Sequence, residues 1–580
     1  MKKTLAILLA LCMVCSLSVS AWADDAVFAN PGTYTASAAG RNGDVTLTVE
    51  VTSDAIVSIE VENEETPTIG GAALETLTEE VIGSQSIAVD AVAGATMSSN
   101  AFISALQSCV EQAGGDLSKL SGEVVVEMND YAMTDADVVV VGAGGAGLMA
   151  AITAANDGAS VILIEKSSSI GGNTLCAANG INAFDSDVQL ADEAYQAADT
   201  SFENFEALQT NESSRLNLVD AFISNSAEAI NYLSSLGVDF TVEISNDERN
   251  SSQNYYLMKA EQDGSTMLTV VNALSTALDN STVTLYKNTE ATSLVQDENG
   301  VVTGVVCTTD AGDEITFSGK SIVLCTGGFG KNPELVAEVN PDLKGAITDE
   351  QAPTTGQGLL MAQAIGADAV DLGNIQTFPS VIDGSGMFMS FGLWMSGNAI
   401  SVNNNGERYA LEQFENSPAI LAQDGGLVYG IFDESNYSDN YASLIEKGFM
   451  VEADSVAELA DALGIPAENL QATIDQWNAD AEATGTDSLF GRENITTIST
   501  DGKLYGYEYG VGAHYFMGGI LINENTQVLD TDGNVIDGLY AAGEVTGGFH
   551  GTQRVDGSGT GDSIVFGMLA GHVTAAAAAE

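Results

Sequence analysis

Three glycines, at 142, 144 and 147 in "DADVVVVGAGGAGLMAAITAANDGASVILIEK", have the spacing of a backbone cradle for a diphosphate. Gly142 allows a tight turn after an apolar run, Gly144 lets backbone N–H groups approach a pyrophosphate, and Gly147 lets the next helix pack closely on the strand. That helix aims its partially positive N-terminus at the phosphates. Glu165 ends the following strand, where an acid can accept from ribose hydroxyls, and Lys166 lies beside it. A lone G-x-G-x-x-G is weak, but here the strand, helix and acid all stand in place, so a dinucleotide site is expected rather than a bare turn. Three further glycine-rich strand ends are dispersed through the chain: "SSSIGGNTLCAANGINA" with Gly172, Asn173 and Thr174, "SIVLCTGGFGKN" with Gly327, and "GLYAAGEVTGGFHG" with Gly543 and Glu544. One cofactor wrapped by such remote segments suits a permanently held FAD better than a dissociating nicotinamide.

A second stretch, "VDAVAGATMSS" (89–99), is too small and flexible to build a core. It offers the Thr96 hydroxyl for chemistry; as an ordinary turn it would use Thr96 or Ser98 to cap the next helix.

The elements that must position these groups follow from pattern. Residues 34–87 alternate as strands do, and "NAFISALQSCVEQAG" has helical spacing, which together make a small α+β module. A polar linker at 116–134 precedes the strand–turn–helix of the glycine cradle. The whole chain, 580 residues with 45% hydrophobic residues, can bury several cores. With 81 Asp and Glu against 17 Lys and Arg, its net charge of −64 repels nucleic acid and anionic lipid. "MKKTLAILLALCMVCSLSVSAWADD" reads as a secretory signal peptide over 1–23, and no later apolar run is expected to span a membrane. Cys109, Cys176, Cys307 and Cys325 are scattered without a CxxC, and only His514, His550 and His572 are histidines, so no metal site is expected.

At these residues the chain resembles the flavoprotein family of soluble fumarate reductases, urocanate reductases and 3-ketosteroid dehydrogenases, over 135–580. The resemblance implies an α/β fold: a Rossmann-like FAD-binding domain (135–375 and 510–580) interrupted by an α+β capping domain (376–509) and preceded by a small α+β FMN-binding domain (30–115). Residues 30–115 resemble the module that a flavin transferase modifies at Asp-x-x-(Ser/Thr)-Gly-Ala-Thr. Asp90 to Thr96 fits that motif with one departure, Ala93, which implies non-covalent FAD and covalent FMN on Thr96.

The implied reaction is hydride transfer to a C=C, which needs an electrostatic clamp and a proton donor. The family resemblance puts Arg554 of "HGTQRVDGSG" at the clamp. In "GAHYFMGG", His514 keeps one position while Tyr515 replaces the family's second His; Tyr515 reads equally as proton donor or core aromatic. In "GLWMSGNAISVNNNGERYALEQFENSPAILAQ" the family's proton-relay charges are absent around Leu393 and Ser396, and the segment from Glu412 to Ala419 contains no Arg. Phe378 stands where fumarate reductases have His, so Phe378 and Trp394 are expected as apolar walls. The expected function is an exported ene-reductase, located outside the cytoplasmic membrane, that passes electrons from a membrane-associated donor through FMN and FAD to a small unsaturated acid or enone. The alternatives are a flavin electron carrier without substrate reduction and a dehydrogenase running in reverse.

Overall fold

The computed structural model describes residues 27–579 except 54, 66–69, 88, 90–94, 116–119, 121–128, 130, 178–179, 198–205, 207–208, 212, 248–249, 261, 263–264, 310, 383–386, 389–395, 413–416 and 439–440. The expected leader at 1–23, Asp90 to Gly94, most of the expected 116–134 linker, Leu393 and Trp394 therefore lie outside the described residues. The chain divides into two units, 1–127 and 128–580.

In the first unit, β1 (Gly32–Ala39), β2 (Asp44–Val51) and β3 (Ile56–Glu62) form an antiparallel meander. Val45, Leu47, Val49 and Val51 alternate inward from β2. They meet Leu74, Leu77 and Val81 of α1 (Ala72–Ser84) and Phe102, Leu106 and Val110 of α2 (Thr96–Gln112) in one core. The strand pattern expected as far as residue 87 thus ends at Glu62. Residues 72–84 carry Leu74, Leu77 and Val81 on one helical face, and burying that face decides for helix.

The second unit is built on a largely parallel sheet: β4 (Asp135–Val141), β5 (Val161–Ile164), β6 (Thr284–Tyr286) and β7 (Glu314–Leu324) lie in the spatial order β7-β4-β5-β6. Val138 to Val141 and Val161 to Ile164 are all buried, as expected of strands covered on both faces. A second, seven-stranded sheet includes β8 (Ile375–Ile382), β9 (Ala399–Val402), β10 (Leu427–Asp433) and the long β11 (Leu504–Phe516), with β11 between β8 and β10. The last parallel strand, β12 (Val535–Ala541), returns to pair with β7.

Two helices complete the cradle: α3 (Gly145–Asn156) and the C-terminal α4 (Ser558–Ala579). A Cβ on Gly567 would lie 2.5 Å from the Ala146 carbonyl oxygen, and one on Gly571 2.7 Å from that of Ala150. Glycine therefore lets the two helices touch backbone to backbone. By length and composition α4 could cross a membrane, contrary to the sequence expectation. Its apolar residues, among them Ile564, Val565 and Phe566, are instead part of the unit's core.

Candidate active site

The dispersed glycine motifs converge because of strand register. Leu324 pairs with Val141 on one side and with Ala541 on the other, and Val141 pairs with Ile164. The turns that follow, carrying Gly142, Glu165, Gly327 and Gly543, consequently share the carboxyl edge of the parallel sheet, where dinucleotides bind. Gly142 has φ +100°, and a Cβ there would lie 2.4 Å from the Cys325 carbonyl oxygen. A Cβ on Gly147 would lie 1.8 Å from the Gly142 carbonyl oxygen. Around Gly144 the nearest atom to such a Cβ is 3.9 Å away, so that side of the loop is open to a ligand. The first intrahelical bond of α3 runs from Leu148 N–H to Gly144 and Gly145 N–H donates to Thr174 Oγ1, so the N–H groups of Ala146 and Gly147 stand at the mouth of the cradle. An open glycine at a helix N-terminus, walled by two glycines that admit no side chain, fits a pyrophosphate.

Glu165 braces this loop, accepting from the N–H groups of Ala143 and Ser167, both at 2.8 Å. Burial pushes its carboxyl up, and those hydrogen bonds oppose the shift. Lys166 donates to Thr355 Oγ1 at 3.2 Å and to Gln357, and lies 3.8 Å from Glu290; burial lowers its ammonium pKa. A Cβ on Gly172 would lie 3.5 Å from the Gly144 Cα, so this turn faces the cradle. Thr174 Oγ1 accepts from Gly145 N–H at 3.0 Å. Asn173 donates to Glu544 Oε2 at 3.2 Å and accepts from Gln351 N–H at 2.8 Å. Glu544 also accepts from Phe516 N–H at 3.1 Å, tying the end of β11 to the cradle. Glu350, which nothing in "ITDEQ" singles out, is buried against Glu544 and accepts from Gly330 N–H at 2.8 Å. Burial first, then the Glu544 charge, raises the Glu350 carboxyl well above its ordinary range.

The clamp candidates lie where β8 meets β11. Gln376 pairs with Tyr515 in that ladder, and its Oε1 accepts from Arg554 Nε–H at 2.9 Å. The Arg554 guanidinium sits 4.7 Å from the centroid of the Tyr515 ring. Tyr515 OH donates to Asp562 Oδ2 at 3.1 Å and lies 3.1 Å from His550 Nε2. The His550 and Asp562 side chains are only 2% and 1% exposed. Burial, then the Asp562 charge, raises the Tyr515 phenol well above its ordinary value, and burial lowers the His550 imidazole. His514 faces a different partner: its Nδ1 is 2.7 Å from Asp349 Oδ2, and Phe378 packs on its ring at 4.4 Å between centroids. His514 and Tyr515, neighbours in sequence, therefore meet different hydrogen-bond partners.

Asp349, Gln376, His550 and Asp562 were missed in the sequence. Two carried a faint signal: His550 interrupts an apolar glycine-rich run, and Asp562 is the lone acid of α4, whose other side chains are small, apolar or hydroxylic apart from His572. Such groups inside apolar elements need buried partners.

Residues 376–509 contain two arginines, Arg408 and Arg492. Arg408 makes a two-point contact with Glu412, at 2.9 and 2.6 Å, and reaches Asp487 at 2.7 Å. Arg492 lies 3.4 Å from Glu412 and donates to the carbonyls of Ala399 and Ser396. Both guanidinium groups lie over Trp477, at 4.8 and 5.3 Å. Ser396 Oγ accepts from Asn436 at 3.0 Å.

Fold and site together define a dinucleotide-binding protein with a small α+β unit ahead of the binding domain. Residues 137–560 match the FAD binding domain model, and 40–111 match the FMN-binding domain model. The chain is 32% identical to the urocanate reductase of Eggerthella lenta, over 94% of this chain and 92% of that one. It is also 32% identical to the NADH:fumarate oxidoreductase of Klebsiella pneumoniae, over 95% of this chain but only 59% of that longer protein. Among solved structures, the open conformation of a flavocytochrome c3 fumarate reductase superposes with TM-score 0.72 at 30% identity, covering 77% of this chain and 79% of that one. The chain belongs to the FAD-binding flavoprotein family of fumarate and urocanate reductases. It is an FAD-dependent oxidoreductase of the type acting on CH–CH groups, and its cofactors are FAD and FMN.

Proposed function

We propose that this protein is an exported ene-reductase whose substrate is an unsaturated acid or enone with at most one carboxylate and an apolar or aromatic body. Bound and reduced FAD supplies hydride to one carbon of the C=C. Arg554 holds the carboxylate or carbonyl that takes up the developing negative charge. Its fixed position between Gln376 and the Tyr515 ring is the observation that carries this reading. Phe378, packed on His514, supplies an apolar wall beside the clamp.

Fumarate would bring a second carboxylate. Arg408 and Arg492 are committed to Glu412 and Asp487, so they leave that group poorly matched, and burying a carboxylate without a cation costs several kcal/mol. FMN enters the reading through Thr96. This residue opens α2, whose N-cap residue Ala95 makes no side-chain hydrogen bond to the helix, and a helix N-terminus favours a phosphate group. The leader at 1–23 supports export, and a covalent link would keep the flavin on a protein that has left the cytoplasm. Maturation then requires a flavin transferase, and turnover requires a membrane-associated electron donor.

The test is anaerobic reoxidation of the viologen-reduced holoprotein by cinnamate, 4-phenylbut-3-en-2-one, crotonate and fumarate. The best aromatic compound is expected to outpace fumarate at least ~10-fold, the equivalent of about 1.4 kcal/mol. Comparable fumarate turnover overturns the substrate class. Reoxidation by none of the four favours an electron carrier.

A further inference from the structure

We propose that His514, oriented by Asp349, donates the proton that completes reduction of the C=C. The inference rests on the ene-reductase reading above and adds the group that closes the reaction.

Three observations converge on this histidine. The first is a β-bulge. Along β8 the pairing passes from Gln376↔Tyr515 to Thr377↔Ala513, so His514 is the extra residue of β11. A bulge interrupts the alternation of side chains and re-aims one of them, which is how adjacent His514 and Tyr515 come to meet different hydrogen-bond partners. The second is Asp349. Residues 347–348 pair in parallel with 512–513, and Thr348 Oγ1 donates to the Ala513 carbonyl at 2.7 Å. This register carries Asp349 to the His514 ring, where Oδ2 lies 2.7 Å from Nδ1. A carboxylate on Nδ1 fixes the ring and directs Nε2 as the exchanging nitrogen. The third is position. Gln376, which holds Arg554, and Phe378, which packs on His514, are two residues apart on β8, a spacing of about 7 Å along a strand. The clamp and the imidazole are thereby held along the same short stretch of β8.

Tyr515 is differently committed. Its hydroxyl donates inward to Asp562, and its ring supports Arg554, which makes it a positioning residue for the clamp. His514 keeps 26% of its side chain exposed and Asp349 11%, so solvent can restore the proton after each turnover.

The step balances as follows. Hydride addition at the β-carbon leaves an electron pair on the enolate. The Nε2–H bond of imidazolium His514 breaks, and that pair forms the new C–H bond at the α-carbon. His514 becomes neutral imidazole, with Nδ1–H still on Asp349, and takes a proton from water.

A nitroalkene separates proton donation from binding, because its hydride adduct is a nitronate that leaves and is protonated in solution. Full-length holoenzyme, matched for FAD and FMN content, is compared as wild type, His514→Gln and Asp349→Asn. The substrates are trans-β-nitrostyrene and the best acceptor among cinnamate, 4-phenylbut-3-en-2-one, crotonate and fumarate. For that acceptor, kcat is expected to fall roughly 100-fold in His514→Gln and about 10-fold in Asp349→Asn, with KM within about 3-fold. Nitrostyrene turnover falls far less, so the ratio of the two rates drops at least ~10-fold in His514→Gln. Equal loss on both substrates overturns the inference, because it marks a binding or structural role. Unchanged kcat overturns it too, as does a ratio that shifts in Tyr515→Phe but not in His514→Gln. A wild type that reduces none of the four acceptors overturns the reading beneath it, a result distinct from an active wild type whose variants match it.

Discussion

Arg554→Lys keeps the positive charge while removing the geometry that holds it. In the native site the Nε–H bond to Gln376, at 2.9 Å, fixes the guanidinium plane, and the Tyr515 ring lies 4.7 Å beneath it. A lysine ammonium cannot present two parallel donors to a carboxylate, so one charge-assisted hydrogen bond is lost, about 1.5–3 kcal/mol. Weaker stacking on the ring removes roughly 0.5–1 kcal/mol more. The sum, about 2–4 kcal/mol, corresponds to a fall of ~30- to 1,000-fold in kcat/KM, tenfold for each 1.36 kcal/mol. The assay is viologen-driven reduction of the best unsaturated acid by holoprotein of equal FAD content. If the rigid clamp does the work, Gln376→Ala loses part of the same free energy and the double variant less than the sum, since the two side chains share one interaction. An Arg554→Lys enzyme within threefold of wild type would refute the argument from guanidinium geometry, leaving charge alone as the requirement.

Three other expectations concern the cofactors and the buried acids. Thr96→Ala, produced alongside a flavin transferase, should lack the FMN mass increment in intact-mass measurement; persistence of the increment places the attachment elsewhere. Gly147→Ala sets a methyl group 1.8 Å from the Gly142 carbonyl oxygen, so α3 must shift and purified protein should retain little FAD by absorbance, whereas full occupancy would mean that the loop yields cheaply. Because burial and Glu544 raise the Glu350 carboxyl in the folded state, its stability contribution is fully present below the unfolded value near 4.3 and is lost as pH rises through the folded value. Thermal melts from pH 5 to 8 should therefore move in favour of Glu350→Gln relative to wild type as pH rises, and parallel curves would contradict this.

The sequence by itself determined what depends on near neighbours. The contact that requires glycine at 147 is made with Gly142, five residues away, so the requirement shows as spacing. Two of the parallel strands, β4 and β5, announce themselves as unbroken runs of valine, isoleucine and leucine because both faces are covered. Local pattern failed at residues 72–84, where Thr, Val and Glu suit either state and only burial of Leu74, Leu77 and Val81 chooses helix. It failed again for α4, since an apolar 22-residue helix reads alike whether its surroundings are lipid or protein. The chemistry of the site was decided by tertiary structure. Asp349 reaches His514 across 165 residues, His550 meets Tyr515 across 35, and Asp562 meets it across 47. No periodicity encodes such separations, because they are set by the register of β11 against 347–348 and β8, and by the approach of α4 to α3. One bulged residue in β11 separates the partners of His514 from those of Tyr515, and a bulge is a property of two paired strands rather than of either strand alone.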